Sequence, residues 1–567
     1  MEMESLDDLV SHIGVGRWTA LVMATNFIWA LTLPFFSLGG AFYNGAVDSH
    51  CAAPEELLIS SNWTREEALN YSIPWEVQDG SMIRSRCMMY DLDYSNTTFS
   101  PWTPQPTEGL KTKKCDTWDY DSSVFTTTVA MEWNLVCDIG WMSPLFASFY
   151  FFGAGVGEPL MGFLSDQYGR RWVLRGSSVI FVFVSVGSAL VEQYSLVLAG
   201  RFILGACYAA GVAVCYVRAM ESSPAKLRDW NGFLLLVPFS LCGMLLGGLA
   251  YVIRDWRTLQ LVCTTTPILG LFLLPFMDET PRWLVLKGRL EEAAKTLEKA
   301  ARWHGVEIPE REKLIMILGN FQEQTRCRRS DTNTEIPKEV EVGCSTVRKE
   351  DVKNWIKNLF ILVRTPILRR TTLSMFVCWF CIGFTYFGMS LSGGIFSENP
   401  FLYMVVSSIV EIPGYSIFSP LATRFGRRSV LSFTYGMCAI SVLLILVLPA
   451  SYSFILSMIG KLFITGAYSL LYLLCSELFP TCVRSRGLNM ASFLGRIGAI
   501  IAPFIVDLMA VTYTWAPSLM FGICSAVASL MALALPESKG KPLTDTIEQL
   551  EELYNPKNKT KDKTCEK

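Results

Sequence analysis

Apolar residues in this chain of 567 are gathered into long uninterrupted runs instead of being spread along amphipathic periods. Runs of about 18 or more, in a solvent that cannot hydrogen-bond the backbone, are stable as membrane-spanning helices. Twelve such runs are expected, at 18–42, 142–164, 173–192, 196–218, 231–253 and 258–277, then 371–391, 399–422, 429–449, 453–475, 488–511 and 515–535. Each covers ~30 Å of hydrocarbon at about 1.5 Å per residue. Composition agrees with lipid as solvent. Hydrophobic residues are 51% and charged residues 18%, too few to clothe several soluble domains. A net charge of -2 provides no cationic field for nucleic acid. Residues Met1 to Asp8 are acidic and lack a basic n-region, so the first run is expected to stay as a span.

Orientation follows from the short loops, because Lys and Arg are retained on the cytoplasmic side. Arg170, Arg171 and Arg175 follow the second span, Lys226 and Arg228 the fourth, Arg424, Arg427 and Arg428 the eighth, and Arg484 and Arg486 the tenth. Arg254 and Arg257, after the fifth, break the pattern. The plasma membrane is the expected location, with the N-terminus (1–17) and tail (536–567) cytoplasmic. The loop 43–140 then falls outside and carries three sequons, at Asn62, Asn70 and Asn96. It also holds Cys51, Cys87, Cys115 and Cys137, which predicts two disulfides with the pairing open. A polar cytoplasmic linker, 278–370, separates six spans (18–277) from six (371–535); it starts helical at Arg289 to Trp303 and turns charged and irregular around Arg326 to Glu350.

The two sets repeat. Asp166-Gln-Tyr-Gly-Arg-Arg171 matches Thr423-Arg-Phe-Gly-Arg-Arg428 at an offset of 257, and Gly200-Arg201 matches Gly460-Lys461 at 260. Glu221, Pro224 and Arg228 match Glu477, Pro480 and Arg484 at 256, and Glu279-Thr280 is echoed by Glu537-Ser538 at 258. Four ordered matches indicate duplicated six-helix halves. Duplicated halves place a substrate site between them near the midplane, opened alternately to each side. Asp166, Arg170, Arg171, Arg427, Arg428, Glu221 and Glu477 are then candidates for a conformational latch, with topology anchoring as the simpler role of the arginines. No phosphate-binding loop for ATP occurs. His12, His50 and His304 lie in unrelated segments, so neither a metal site, a cofactor nor an enzyme is expected.

Several motifs narrow the field. Gly162-Phe-Leu-Ser-Asp-Gln-Tyr-Gly-Arg-Arg171 resembles the loop signature of the major facilitator superfamily. Asn134-Leu-Val-Cys-Asp138, Ile253-Arg-Asp-Trp-Arg-Thr-Leu-Gln260, Pro281-Arg-Trp-Leu284, Val410-Glu-Ile-Pro-Gly-Tyr415, Glu477-Leu-Phe-Pro-Thr481 and Ile500-Ile-Ala-Pro-Phe504 resemble the organic cation/anion/carnitine transporter family. The resemblance implies the major facilitator fold, with two pseudo-symmetric six-helix bundles and a large glycosylated extracellular loop. It also implies small organic ions or zwitterions as substrates. Thr423 departs from it, standing where the second-half loop commonly has Asp.

The resemblance singles out Arg496 in Gly495-Arg-Ile-Gly-Ala499, where cation-preferring members have Cys-Asp-Ile-Gly-Gly and anion or carnitine members have Arg. A buried arginine faces a polar cavity, where its fork can hold a carboxylate. The alternative is a structural partner for an acid in the other half. Lys461, Glu411 and Glu158 add intramembrane charges, and Asp507, eleven residues after Arg496, is expected on roughly the same face. Glu411 either binds a cation or braces its helix, which Pro413 is expected to interrupt. Glu158 lies outside the family pattern. Trp379, Phe380, Phe384, Tyr386 and Phe387 in the seventh span and Tyr216 in the fourth are candidates for an aromatic wall that holds a quaternary ammonium, with ordinary helix packing or lipid contact as the simpler role. These features predict a transporter of organic cations, zwitterions such as carnitine, or organic anions; a proton or sodium ion is a candidate coupling ion. A sugar-porter-like facilitator, suggested by Pro536-Glu537-Ser538-Lys539-Gly540, and a non-transporting receptor or adhesion protein are the alternatives.

Overall fold

The computed structural model describes residues 6–45, 47–60, 64–78, 81–92, 94, 111–222, 237–331, 360–480, 483–509, 513–541, 544 and 546–554. Helices stand at all twelve expected places: α1 Arg17–Ser37, α2 Leu145–Tyr168, α3 Arg170–Leu190, α4 Tyr194–Glu221, α5 Val237–Val252 and α6 Trp256–Leu273, then α7 Pro366–Leu391, α8 Pro400–Phe425, α9 Arg427–Leu444, α10 Ser453–Leu478, α11 Arg484–Phe504 and α12 Ala516–Ala534. Among the described residues nine helices are long and apolar enough to cross a membrane, and Tyr194–Ala209 and Val237–Val252 are shorter apolar stretches. The start of the fifth run, 231–236, and the loop residues Lys226 and Arg228 lie outside the described residues. α8 runs without a break through Pro413 and Pro420, contrary to the expected interruption. Neighbouring helices supply the packing that a lone proline helix would lack.

Within the first half α2 packs on α4, α3 on α4 and α6, and α1 on α5; in the second, α7 packs on α11 and α12, and α9 on α10 and α12. The halves meet where α2 lies against α11 and α5 against α8. These two interfaces exchange under the internal repeat. The α7–α11 contact is close because it is made of glycine: a Cβ on Gly383 would stand 1.9 Å from the Gly495 carbonyl oxygen, and one on Gly498 2.3 Å from that of Phe380. Backbone approach of this kind replaces the missing hydrophobic drive between helices in lipid.

The linker contributes helices Pro281–Leu286, Leu290–His304 and Arg311–Asp331. The last continues past Arg326, where irregular chain was expected, and 332–359 lie outside the described residues. An amphipathic helix at Leu6–Ile13 buries Leu6, Leu9 and Ile13 against Trp283, Leu297 and Leu314 of these helices. His304 joins the segments by facing the Ile13 carbonyl through Nδ1 at 2.9 Å and accepting from the Trp18 amide through Nε2 at 3.2 Å. At the other end of the chain, Glu551 in Ile547–Tyr554 accepts from the Ile367 and Leu368 amides at the start of α7.

At the opposite end of the bundle the large loop forms a small domain with three two-stranded antiparallel sheets. Its disulfides are Cys51–Cys115 and Cys87–Cys137, which resolves the pairing. Leu57, Leu69 and Ile73 pack beside Cys51 and Cys115. This domain accounts for Arg254 and Arg257. Arg254 donates to the Ser123 carbonyl at 2.9 Å, and Arg257 pairs with Glu132 and donates to the Val191 carbonyl at 2.7 Å. Arg257, tied to a carboxylate of this domain, has a structural role that a loop-charge pattern does not include.

Candidate functional site

Two ion pairs stand between the helices at mid-bundle. Arg496 on α11 donates from Nε and Nη2 to Glu158 Oε1 on α2, at 3.0 and 2.5 Å, while Ser492 Oγ donates to Glu158 Oε2 at 2.9 Å. The pair therefore joins the halves. Its side chains are 7% and 21% exposed, with the acid on the more open side. Arg496 also lies over the Tyr208 ring, 5.5 Å from its centroid. The acid in the other half, weighed above as the structural partner, is Glu158.

Lys461 on α10 pairs with Glu411 on α8 at 3.1 Å, and both side chains are almost wholly buried. Lys461 also donates to Ser390 Oγ at 2.5 Å and lies 3.5 Å from the Tyr386 ring centroid. Tyr386 OH donates to Glu411 Oε1 at 2.7 Å, and Ser240 on α5 donates to Oε2 at 3.1 Å. Ser240 precedes Arg496 by 256 residues, the repeat spacing. Each interface thus carries one acid facing a donor from the other half. Arg201, the repeat counterpart of Lys461, has a different solution: it donates to the Phe36 and Phe146 carbonyls and lies over the Phe146 and Tyr150 rings.

An aromatic layer links the two pairs. Tyr386 and Tyr468 lie 5.3 Å apart, Tyr468 and Tyr472 5.6 Å, and Trp379 stands edge-on to Tyr472 at 4.6 Å. Trp379, Gly383, Tyr386 and Ser390 share one α7 stripe, at the i, i+4, i+7, i+11 spacing that keeps one face. Phe380, one residue and about 100° further round, leaves this stripe. It stacks on Phe384, which packs edge-on to Phe521 of α12. Its expected place in the wall is therefore not where its ring lies. Tyr472 keeps 39% of its surface accessible, while Trp379 beside it is buried. Tyr208, Tyr468, Tyr472 and Ser492 were not singled out from sequence. Their signal was available in part, since Lys461, Tyr468 and Tyr472 fall on one α10 face. The Tyr216 side chain lies outside the described residues.

Asp507 does not join Arg496. After Pro503 the chain takes a π-helical turn, Ile505–Met509, which breaks the straight-helix register on which their shared face depended. Asp507 instead accepts from Asn44 Nδ2 at 3.2 Å. That contact, Ser148 Oγ donating to the Ile500 carbonyl at 2.7 Å, and the stacked Phe42 and Phe401 rings at 5.5 Å join the halves near the end that carries the disulfide-bonded domain.

The latch residues assemble twice, each time inside one half. Gly169 and Gly426 have φ of 103° and 101°, a region that side-chain-bearing residues avoid. Each turn starts a helix whose first amides point at a carboxylate: Glu279 accepts from the Arg170 and Arg171 amides at 3.0 Å, and Glu537 from those of Arg427 and Arg428 at 2.9 and 3.2 Å. Arg170 pairs with Asp166 at 2.9 Å and faces Glu221 at 3.6 Å; Arg427 pairs with Glu477 at 2.8 Å. Thr280 donates to Glu221 and Ser538 to Glu477. Thr423, in the place of Asp166, donates to the Pro420 carbonyl, so among the described residues Arg427 pairs with Glu477 alone. Glu279 and Glu537 are central to these knots, and their recurrence in sequence was the available clue.

Of the sequons, Asn70 lies in helix Arg65–Ser72 and accepts from Arg84 at 2.7 Å, while Asn62 and Asn96 lie outside the described residues.

Comparison with known proteins agrees with this architecture. Residues 125–550 match the family described as sugar (and other) transporter. The chain is 32% identical over 549 residues to the "Organic cation transporter protein" of Drosophila melanogaster, covering 96% of this chain and 94% of that one. It is 30% identical over 564 residues to the "Organic cation/carnitine transporter 2" of Mus musculus, covering 97% and 94%. Among solved structures, the xylose transporter XylE from E. coli in a partially occluded inward-open conformation has the same fold, with a TM-score of 0.56 at 14% identity, covering 93% of this chain and 100% of that one. Two six-helix halves, paired charges between them and relatives along nearly the whole length lead to one conclusion: the chain is a multi-pass membrane transporter that belongs to the sugar (and other) transporter family of the major facilitator superfamily, in its organic cation/carnitine branch.

Proposed function

We propose that this chain moves small organic zwitterions across the plasma membrane by alternating access, with Arg496 as the ligand of the substrate carboxylate and the Trp379, Tyr386 and Tyr468 layer as the wall for its ammonium. The observation that carries the reading is the Arg496 fork, buried at the joint between the halves and set against tyrosine rings. Relatives named for organic cations and carnitine support the substrate class. Two ion pairs linked by the aromatic layer suit a charged solute better than a neutral sugar. The Arg-rich loops lie at the end that carries the Leu6–Ile13 and Ile547–Tyr554 helices and the linker helices, and the disulfide-bonded domain lies at the other, which supports cytoplasmic termini. The inter-half contacts toward the ectodomain end support an inward-facing state. A proton or sodium ion is the candidate coupling ion.

Uptake of labelled carnitine, tetraethylammonium and benzoate into cells expressing wild type or Arg496→Ala tests the reading. Carnitine enters with wild type and not with Arg496→Ala. Wild type that admits tetraethylammonium alone, unchanged by the substitution, refutes the carboxylate role. Wild type that admits none of the three refutes this substrate class and favours a receptor.

A further inference from the structure

The Arg496 fork is already filled by a carboxylate of the chain itself. Glu158 holds two of its donors, is fixed by Ser492, and keeps the more exposed side of the pair. Gly155, one turn earlier on α2, leaves room for this meeting, since a Cβ there would already touch Arg496 Cβ at 3.4 Å. Arg496 lies over the Tyr208 ring, and Tyr208, Tyr468 and Tyr472 stand within electrostatic reach of Glu158. Further along the α7 stripe, Lys461 and Glu411 cancel each other. Each of the two pairs is neutral in itself, while Arg201, at the depth of Lys461, is held by carbonyls instead of a carboxylate.

This balance restricts what can enter. A substrate carboxylate reaches Arg496 only by displacing Glu158. If the substrate is a monoanion, one carboxylate is then left uncompensated in a water-poor layer, the arrangement that buried charges avoid. If it is a zwitterion, its own cation lies beside the displaced Glu158, against tyrosine faces that also favour it. We propose that Glu158 is the specificity-determining residue of this transporter: it occupies the carboxylate ligand in the empty site and, once displaced, receives the substrate's cationic group, so that zwitterions pass and monoanions of the same shape do not. The proposal rests on the carboxylate role given to Arg496. Discrimination here is built by repulsion as much as by attraction.

The test compares uptake of labelled carnitine with that of 3-hydroxy-5,5-dimethylhexanoate, in which a carbon replaces the ammonium nitrogen at equal shape. Uptake is normalised to surface-labelled protein. Wild type favours carnitine by about tenfold or more. Glu158→Gln, which leaves Arg496 an unpaired cation, lowers that preference by about tenfold or reverses it, and Glu158→Asp keeps the wild-type ratio. Wild type that takes up both compounds equally overturns the filter, even if Glu158→Gln never reaches the surface. So does a Glu158→Gln protein at the surface with an unchanged ratio, since a mere strut would lower both rates together. Uptake of carnitine that survives Arg496→Ala sinks the premise instead, and the two failures are thereby told apart.

Discussion

Lys461→Met isolates the energetics of the buried pair. Lys461 Nζ lies 3.1 Å from Glu411 Oε1, and the side chains are 1% and 2% exposed. At an effective dielectric constant of ~20 the attraction is about 5 kcal/mol. Removing the cation leaves Glu411 charged without a counter-ion, a loss of about 3–5 kcal/mol. Two donors stay in place, the Tyr386 and Ser240 hydroxyls, and they hold the loss near the lower bound, about 3 kcal/mol. Lys461→Met/Glu411→Gln removes both charges and is expected to recover most of it, because a buried pair is worth little net against uncharged groups of similar size. Thermal unfolding of the detergent-purified protein reports the effect, followed by a thiol-reactive dye, since Cys378, Cys438 and Cys475 are buried free thiols that unfolding exposes. A single variant within about 1 kcal/mol of wild type, or a double variant no better than the single, refutes the view that Glu411 is held by Lys461.

Three further perturbations address other parts of the molecule. Glu279→Gln and Glu537→Gln each neutralise a carboxylate on two first-turn amides and are expected to destabilise their halves by about 1–2 kcal/mol, read in the same unfolding assay; opposite signs in the two halves would contradict their equivalence. Cys51→Ser/Cys115→Ser opens a closure of 64 residues, for which chain entropy gives about 4 kcal/mol, and the surface domain should become protease-sensitive on intact cells at concentrations wild type survives. Asp255, which caps α6, is lowered from the usual carboxylate range: burial alone would raise it, and hydrogen bonds from Thr127 and Thr258 outweigh that. A lowered folded value means that its stabilisation is full above the unfolded value of about 3.9 and is lost as pH falls through the folded one. Thr127→Val should lower stability at neutral pH and flatten the acid limb of the unfolding curve below about pH 4, and an unchanged limb would deny Asp255 that role.

The twelve helices, the duplicated halves and the disulfide-bonded loop were legible because each depends on local composition or on marks that recur in order. Contacts set by helix rotation were not. Trp379 and Phe380 are neighbours in sequence; Phe380 meets Phe384 one turn on in its own helix, and only the register of α7 against α10 sends Trp379 to Tyr472. The rule that an intramembrane charge needs a partner selected Arg496, Lys461, Glu411, Asp507 and Glu158 correctly as residues to explain. It could not match them, since any of the three acids satisfies it for either base. The matching came from backbone approach and helix register: glycines that draw α11 against α7 and leave room beside α2, and a π-helical turn that takes Asp507 away to Asn44. Glu158, which no motif marked, then becomes the partner that decides how Arg496 can be used. A cation whose counter-ion is part of the protein binds a substrate by exchange, and the charge of whatever enters has to repay the charge that it displaces.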